Sequence, residues 1–141
     1  MSMFVDTSVW SLALRRSKTD TSPHPAVVLL RQLIEEEADV RIPGIVLQEV
    51  LSGVRHQEQF DRLRTTLHAF RLEPATEDIH VRAAEVFNAC QRGGVMATAI
   101  DCLIAATTQC SQARLLATDG DYQHIASVVP LELIDWSSRS S

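Results

Sequence analysis

Phe4-Val5-Asp6-Thr7-Ser8-Val9-Trp10, close to the start of the chain, joins a short apolar run to a helical pattern through a single aspartate. The run Met3 to Val5 reads as a strand, and Thr7 to Arg16 reads as a helix whose first turn Asp6 or Ser8 can cap. Asp6 therefore stands where a strand ends. The same alternation continues downstream. Val40-Arg41-Ile42 is a second strand, stopped by Pro43-Gly44, which opens a helix running to about Gly53. Phe70-Arg71-Leu72, Arg114 to Ala117 and Leu131 to Ile134 read as further strands. Between them lie helical patterns. Pro25 begins one with the apolar pattern Val27, Leu29, Leu30, Leu33 and Ile34, closed by the solvated run Glu35 to Glu37. His56 to His68 is amphipathic through Phe60, Leu63 and Leu67, and Thr76 to Arg92 turns Ile79, Ala83, Val86, Phe87 and Cys90 inward before Gly93-Gly94. Strands alternating with helices predict an α/β fold, a three-layer α/β/α sandwich with a central, mainly parallel sheet. In such sheets the carboxyl ends of the strands share one edge, and ligands bind there.

Four acids converge on that edge or on its helices. Asp6 and Asp119 each follow a strand directly. Glu49 borders the apolar arc Ile45, Val46, Leu47, Val50, Leu51 and Val54, beside the open Gly53. Asp101 lies in the first turns of Ala97 to Cys110, a helix with almost no polar face, and no lysine or arginine falls between Arg92 and Arg114 to neutralise it. Taken singly, Asp6 is a helix cap and Asp119 and Asp121 belong to a turn over Thr118 to Tyr122. Four carboxylates in one crevice, however, repel one another unless a cation holds them. Oxygen-only ligation favours Mg²⁺ or Mn²⁺ over zinc, and His24, His56, His68, His80 and His124 are scattered without ligand spacing. Such ions with open positions serve phosphoryl chemistry: one lowers the pKa of a water, and a second about 4 Å away stabilises the leaving oxygen.

The chain has 141 residues, 45% of them apolar, which fits a single domain over residues 1 to 136 followed by a flexible tail from Ser137 to Ser141. Its formal charge of −5 is unusual for a nucleic-acid binder, but cations at a cluster of acids cancel that charge where a phosphate would sit. The bases are uneven, with Arg15, Arg16 and Lys18 after the first junction and Arg55, Arg62, Arg64 and Arg71 in the middle. Cys90, Cys102 and Cys110 are odd in number, lack C-x-x-C spacing and lie in apolar patterns, so they read as core residues in a reducing compartment. No charged-then-apolar leader and no membrane-length apolar run is present, which predicts a cytoplasmic protein without membrane contact.

Four short motifs, Phe4 to Trp10, L-Q-E-V-L-S-G-V-R at 47–55, T-A-I-D-C-L-I-A-A-T at 98–107 and L-A-T-D-G-D-Y at 116–122, resemble in order and spacing those of PIN-domain ribonucleases. Among these the chain is most similar to the VapC-type toxins of bacterial toxin–antitoxin pairs. The resemblance implies Mg²⁺- or Mn²⁺-dependent cleavage of single-stranded or looped RNA, a homodimer, and inhibition by a cognate VapB-type antitoxin, in some cases as a hetero-oligomer. It carries over Asp6, Glu49, Asp101 and Asp119 as the acidic metal and catalytic site and Asp121 as a supporting acid. Ser8 stands where relatives commonly carry Asn; it, Thr98 and Thr118 are read as groups that position substrate or water. Two other readings compete. An aspartate-nucleophile phosphatase or phosphotransfer domain needs a lysine at its phosphate and a second aspartate two positions on, whereas Lys18 is the only lysine and Asp6 is followed by Thr7-Ser8. A non-catalytic PIN-like interaction module is the other. The apolar surfaces of the first two helices, with Trp10, Leu12 and Leu14 on the first, further suggest a partner surface beyond what their own sheet needs.

Overall fold

The computed structural model describes residues 1–14 and 22–137. Arg15, Arg16, Lys18, the end of the first helix and most of the terminal tail lie outside the described residues. Strand β1 (Met3–Val5) leads into α1 (Thr7–Leu14); α2 (Pro25–Glu35), β2 (Val40–Pro43), α3 (Gly44–Leu51), α4 (Gln57–Leu67) and β3 (Arg71–Glu73) follow. The second half holds α5 (Glu77–Arg92), α6 (Ala99–Cys110), β4 (Arg114–Leu116) and α7 (Asp121–Ala126).

Among the described residues the sheet has four strands in the order β3-β2-β1-β4, and every pairing is parallel. From β1 to β2 to β3 the chain steps one way across the sheet; from β3 to β4 it returns past β1. Right-handed crossovers therefore place α1 to α4 on one face and α5 and α6 on the other. The main contacts agree, since α1 packs on α2 and α3, α3 on α4, and α5 and α7 on α6, with a smaller contact between α3 and α6. The result is the three-layer sandwich expected. A strand covered on both faces has no polar side to show, and Phe4 and Val5 in the central β1 are both fully buried. Around them pack Leu30, Ile42, Val46, Ile104, Leu115 and Leu116 in one core.

Local signals set the helix ends. His24 Nδ1 accepts from the Ala26 N–H before Pro25, the Thr76 hydroxyl accepts from the Ile79 N–H, and the Thr98 hydroxyl accepts from the Asp101 N–H. Beyond α3, Gly53 has φ +84°, a conformation that side chains rarely adopt, and this turns the chain toward α4.

Four expectations need correction. Leu131 to Ile134 is not a strand: only Leu133 bridges to Leu115, flanked by hydrogen bonds from Leu115 N–H to Glu132 O and from Ile134 N–H to Leu115 O, in a short segment between Pro130 and the turn at Ser137. The turn at Thr118 to Tyr122 runs on into α7, held by Tyr122 and Ile125 in the core. Cys110 is exposed, since it ends α6 at the rim, whereas Cys90 and Cys102 are buried. Burial, with Cys90 and Asp101 adding to it, pushes the Cys102 thiol up to about 11, so it stays protonated. Finally, α6 is not apolar-buried throughout: Ile100, in its first turn, is 40% exposed.

At the amino ends of the strands, Arg41 Nε and Nη2 donate to Asp39 at 3.1 and 2.9 Å, and the Ser2 hydroxyl donates to Asp39 at 2.9 Å. These bonds, led by the guanidinium, hold the Asp39 carboxyl below its ordinary value of 3.8. The folded state thus favours the ionised form. Its contribution is present above 3.8 and is lost as pH falls through the depressed value. Asp39→Asn is expected to flatten the acid limb of the urea midpoint against pH; because the pair is exposed the effect is small, and an unchanged limb would show that it contributes nothing.

Candidate metal centre

The β1–β4 pairing continues one step past the strand, where the Asp6 N–H donates to Leu116 O at 2.9 Å. This brings the ends of β1 and β4 together at the point where the connections leave the sheet in opposite directions. Asp6, 5% exposed, is fixed through both carboxylate oxygens. Its Oδ2 accepts from the Ser8 N–H at 3.1 Å and the Ser8 hydroxyl at 2.7 Å, and its Oδ1 accepts from the Tyr122 hydroxyl at 2.9 Å. The first pair is a helix cap, and the Asp6 carbonyl also accepts from Val9 and Trp10. Ser8 Oγ in turn accepts from the Thr118 N–H at 3.1 Å, tying α1 to the turn that carries Asp119.

Asp101 enters from α6, half-buried, with its Oδ1 3.4 Å from the Tyr122 hydroxyl. Carboxylate oxygens of Asp101, Asp119 and Asp121 lie within 4.8 Å of one another, the latter two exposed. The Asp121 N–H donates to Asp119 Oδ1 at 3.0 Å, which folds the two acids of the turn toward one place. Glu49 stands apart from this trio. It is half-buried on α3, and its Oε1 accepts from the Thr7 hydroxyl at 2.8 Å. Thr98 acts through its cap on the Asp101 N–H, and Thr118 through its backbone; no side-chain bond of Thr118 is part of the arrangement described.

Among the described residues no salt bridge reaches any of these five acids. The Asp101 carboxyl is accordingly raised above its ordinary value, first by burial, against a lowering hydrogen bond from Thr98, and then by the charges of Asp119, Asp6 and Asp121. The Tyr122 hydroxyl is raised strongly, by burial first and then by Asp6 and Asp101, so it remains a proton donor. The donor set is all oxygen, which suits a hard divalent ion. An ion held at about 2.1 Å from each ligand spans oxygens up to about 4.2 Å apart, so small side-chain turns would close the trio around it.

Two members of this arrangement were not legible in the sequence. Tyr122, the only tyrosine, is hidden behind the turn signal Asp119-Gly120-Asp121, and Thr7 reads simply as the first residue of a helix. Their one-step spacing from Asp121 and Asp6 is the signal that could have found them.

The PIN domain model matches residues 3–128. The chain belongs to the PIN-domain family. Within this family it is 30% identical over 132 residues to ribonuclease VapC11 of Mycobacterium tuberculosis, covering 92% of this chain and 96% of that protein. Among solved structures, VapBC2 from Rickettsia felis, bound to a DNA fragment from its promoter, superposes with a TM-score of 0.77 at 18% identity over 97% of this chain and 100% of that one. A toxin-antitoxin complex from Klebsiella pneumoniae superposes at 0.67 with 19% identity, covering 94% and 96%. At these identities the structures share the fold, and the VapC relative establishes the kinship in sequence. The PIN-domain sandwich thus accounts for the sheet order.

Proposed function

We propose that this PIN-domain protein is a Mg²⁺- or Mn²⁺-dependent endoribonuclease that hydrolyses RNA phosphodiester bonds as the toxin of a toxin–antitoxin pair. The observation that carries the reading is the meeting of Asp6, Asp101, Asp119 and Asp121 at one sheet edge with no cationic side chain among the described residues to neutralise them. Asp6, Asp101, Asp119 and Asp121 would hold the ion, with Glu49, steadied by Thr7, as a further acidic ligand at the side. A bound divalent ion supplies Lewis acidity and an acidified water suited to attack on a phosphodiester. The chain's own contribution is order: Ser8 and Tyr122 prevent Asp6 from turning, and Thr98 sets both the start of α6 and the Asp101 carboxylate. Ser8, Thr98 and Thr118 are proposed as groups that position substrate or water, Ser8 and Thr98 acting through the acids they hold.

The phosphatase alternative is disfavoured by the same geometry. Asp6 is buried and already accepts three hydrogen bonds, two from Ser8 and one from Tyr122, which suits a carboxylate held in place as a ligand better than an open nucleophile. The non-catalytic module is disfavoured because separate elements hold an uncompensated acid group in register. The partner we propose is a VapB-type antitoxin, with a homodimer or a toxin–antitoxin hetero-oligomer as the working assembly; the kinship to VapC11 and the fold shared with VapBC2 support this. The core takes Trp10, Val27, Leu29 and Leu30, so a partner on α1 and α2 would meet mainly Ile34 and the partly exposed Leu12, Leu14 and Leu33. No helix among the described residues is long and apolar enough to cross a membrane, in keeping with the proposed cytoplasmic location. Purified protein incubated with looped RNA is expected to cleave it with added Mn²⁺ and to stop on addition of a chelator; cleavage that persists in excess chelator would overturn the metal-dependent reading.

A further inference from the structure

We infer that the Tyr122 hydroxyl is a positioning group for the metal centre, fixing the orientation of Asp6 beside Asp101; the inference rests on the metal-dependent reading above. Tyr122 is 1% exposed in the first turn of α7, so its ring belongs to the core, where phenylalanine would fill nearly the same volume. What phenylalanine cannot supply is an oxygen at the end of the ring, 2.9 Å from Asp6 Oδ1 and 3.4 Å from Asp101 Oδ1. A buried phenol needs a partner, and this one is placed between two carboxylates contributed by residues 95 positions apart, 101 minus 6.

The two distances divide the roles. A hydroxyl has one proton, and the shorter bond gives it to Asp6. With Ser8 on the other oxygen, Asp6 is then held at both ends, as a buried carboxylate requires. Asp101 receives only the long contact. With the proton given to Asp6, the phenol makes no bond to Asp101, which stays free to turn toward Asp119 and Asp121. Tyr122 also belongs to the helix that begins with Asp121, so the ring that fixes Asp6 also fixes the helix presenting another acid. Hydrogen-bond partners that orient ligands without touching the ion typically change metal affinity by about 10- to 100-fold when removed.

Tyr122→Phe in the full chain tests this by calorimetric titration with Mn²⁺ in the absence of RNA. The variant is expected to bind Mn²⁺ about 10-fold more weakly or worse. Its half-saturating Mn²⁺ concentration for cleavage should rise in parallel, with KM for RNA at saturating metal unchanged. Equal Mn²⁺ affinity in the two proteins, whatever their melting temperatures, overturns the inference and leaves the nuclease reading intact. Wild-type protein that neither binds Mn²⁺ nor cleaves RNA overturns both. Because Tyr122 is the only tyrosine, fluorotyrosine incorporation gives one fluorine NMR signal and an assay that does not depend on the variant's folding. That signal is expected to shift on Mg²⁺ addition. A signal that stays fixed while calorimetry records Mg²⁺ binding overturns the assignment.

Discussion

Asp6→Asn is expected to leave α1 in place and to slow RNA cleavage by about 100-fold or more. The two halves of this result come from different oxygens. Asparagine caps helices as well as aspartate does, and its amide oxygen can keep the bonds from the Ser8 N–H and hydroxyl. Its amide nitrogen can donate to the Tyr122 oxygen, with the phenol proton turned elsewhere, so the buried site stays satisfied. What disappears is one negative charge at the centre of the acid group. If loss of a mere orienting partner costs about 10- to 100-fold, loss of a charged member belongs at or beyond the upper end. Circular dichroism and a melting curve check the first half, and single-turnover cleavage at saturating Mn²⁺ checks the second. Cleavage within a few-fold of wild type would remove Asp6 from the centre.

Asp101→Asn is expected to move activity and stability in opposite directions. Burial and the neighbouring acids raise the Asp101 carboxyl above its ordinary 3.8. The folded state therefore holds that proton more tightly than the unfolded chain does. The stability linked to it is present below 3.8 and is lost as pH rises through the raised value, so at neutral pH the ionised group is a liability in metal-free protein. Asparagine removes that liability. The metal-free variant should melt above wild type at neutral pH, and the gap should close in acid. Saturating Mg²⁺ should reverse the order, because only the wild type retains the full site; binding at a hundredfold excess over Kd is worth about 2.7 kcal/mol. Cleavage by the variant should be lost. A metal-free variant that melts below wild type at neutral pH would mean that Asp101 has a compensating partner and is no sign of a cation site.

The sandwich was legible because β1 could be read without ambiguity. An apolar run buried on both faces, ended by a cap and followed by a helical pattern, has few other interpretations, and β2 and β4 repeat the form. The acids on strand ends and on an apolar helix stood out for a related reason, since a carboxylate in such a place requires an explanation. Elements held by tertiary contacts alone were harder to see. The six residues of α7 are too few for a periodic pattern and begin with a turn signal, so only the burial of Tyr122 and Ile125 reveals them as a helix. Leu131 to Ile134 carries strand-like residues but finds only one bridge. Cys110 shares the apolar pattern of α6 and still faces outward, because a helix's last turn need not follow the face of its middle. Tyr122 and Thr7 went unnoticed since a hydroxyl announces no charge, and their importance lies in which carboxylate they reach.

The sheet order also has a bearing on synthesis. Parallel neighbours cannot be joined by a tight turn, so β1 gains its second neighbour only when residues 114–116 have been added. Until then a nascent chain presents β1 as an open edge. It also lacks Asp119, Asp121 and the Tyr122 phenol that fixes Asp6. On the proposed function, a polypeptide able to cut RNA is thus kept inactive by the order of its strands until β4 and the turn after it have been made. A truncated product ending before β4 would be harmless for the same reason.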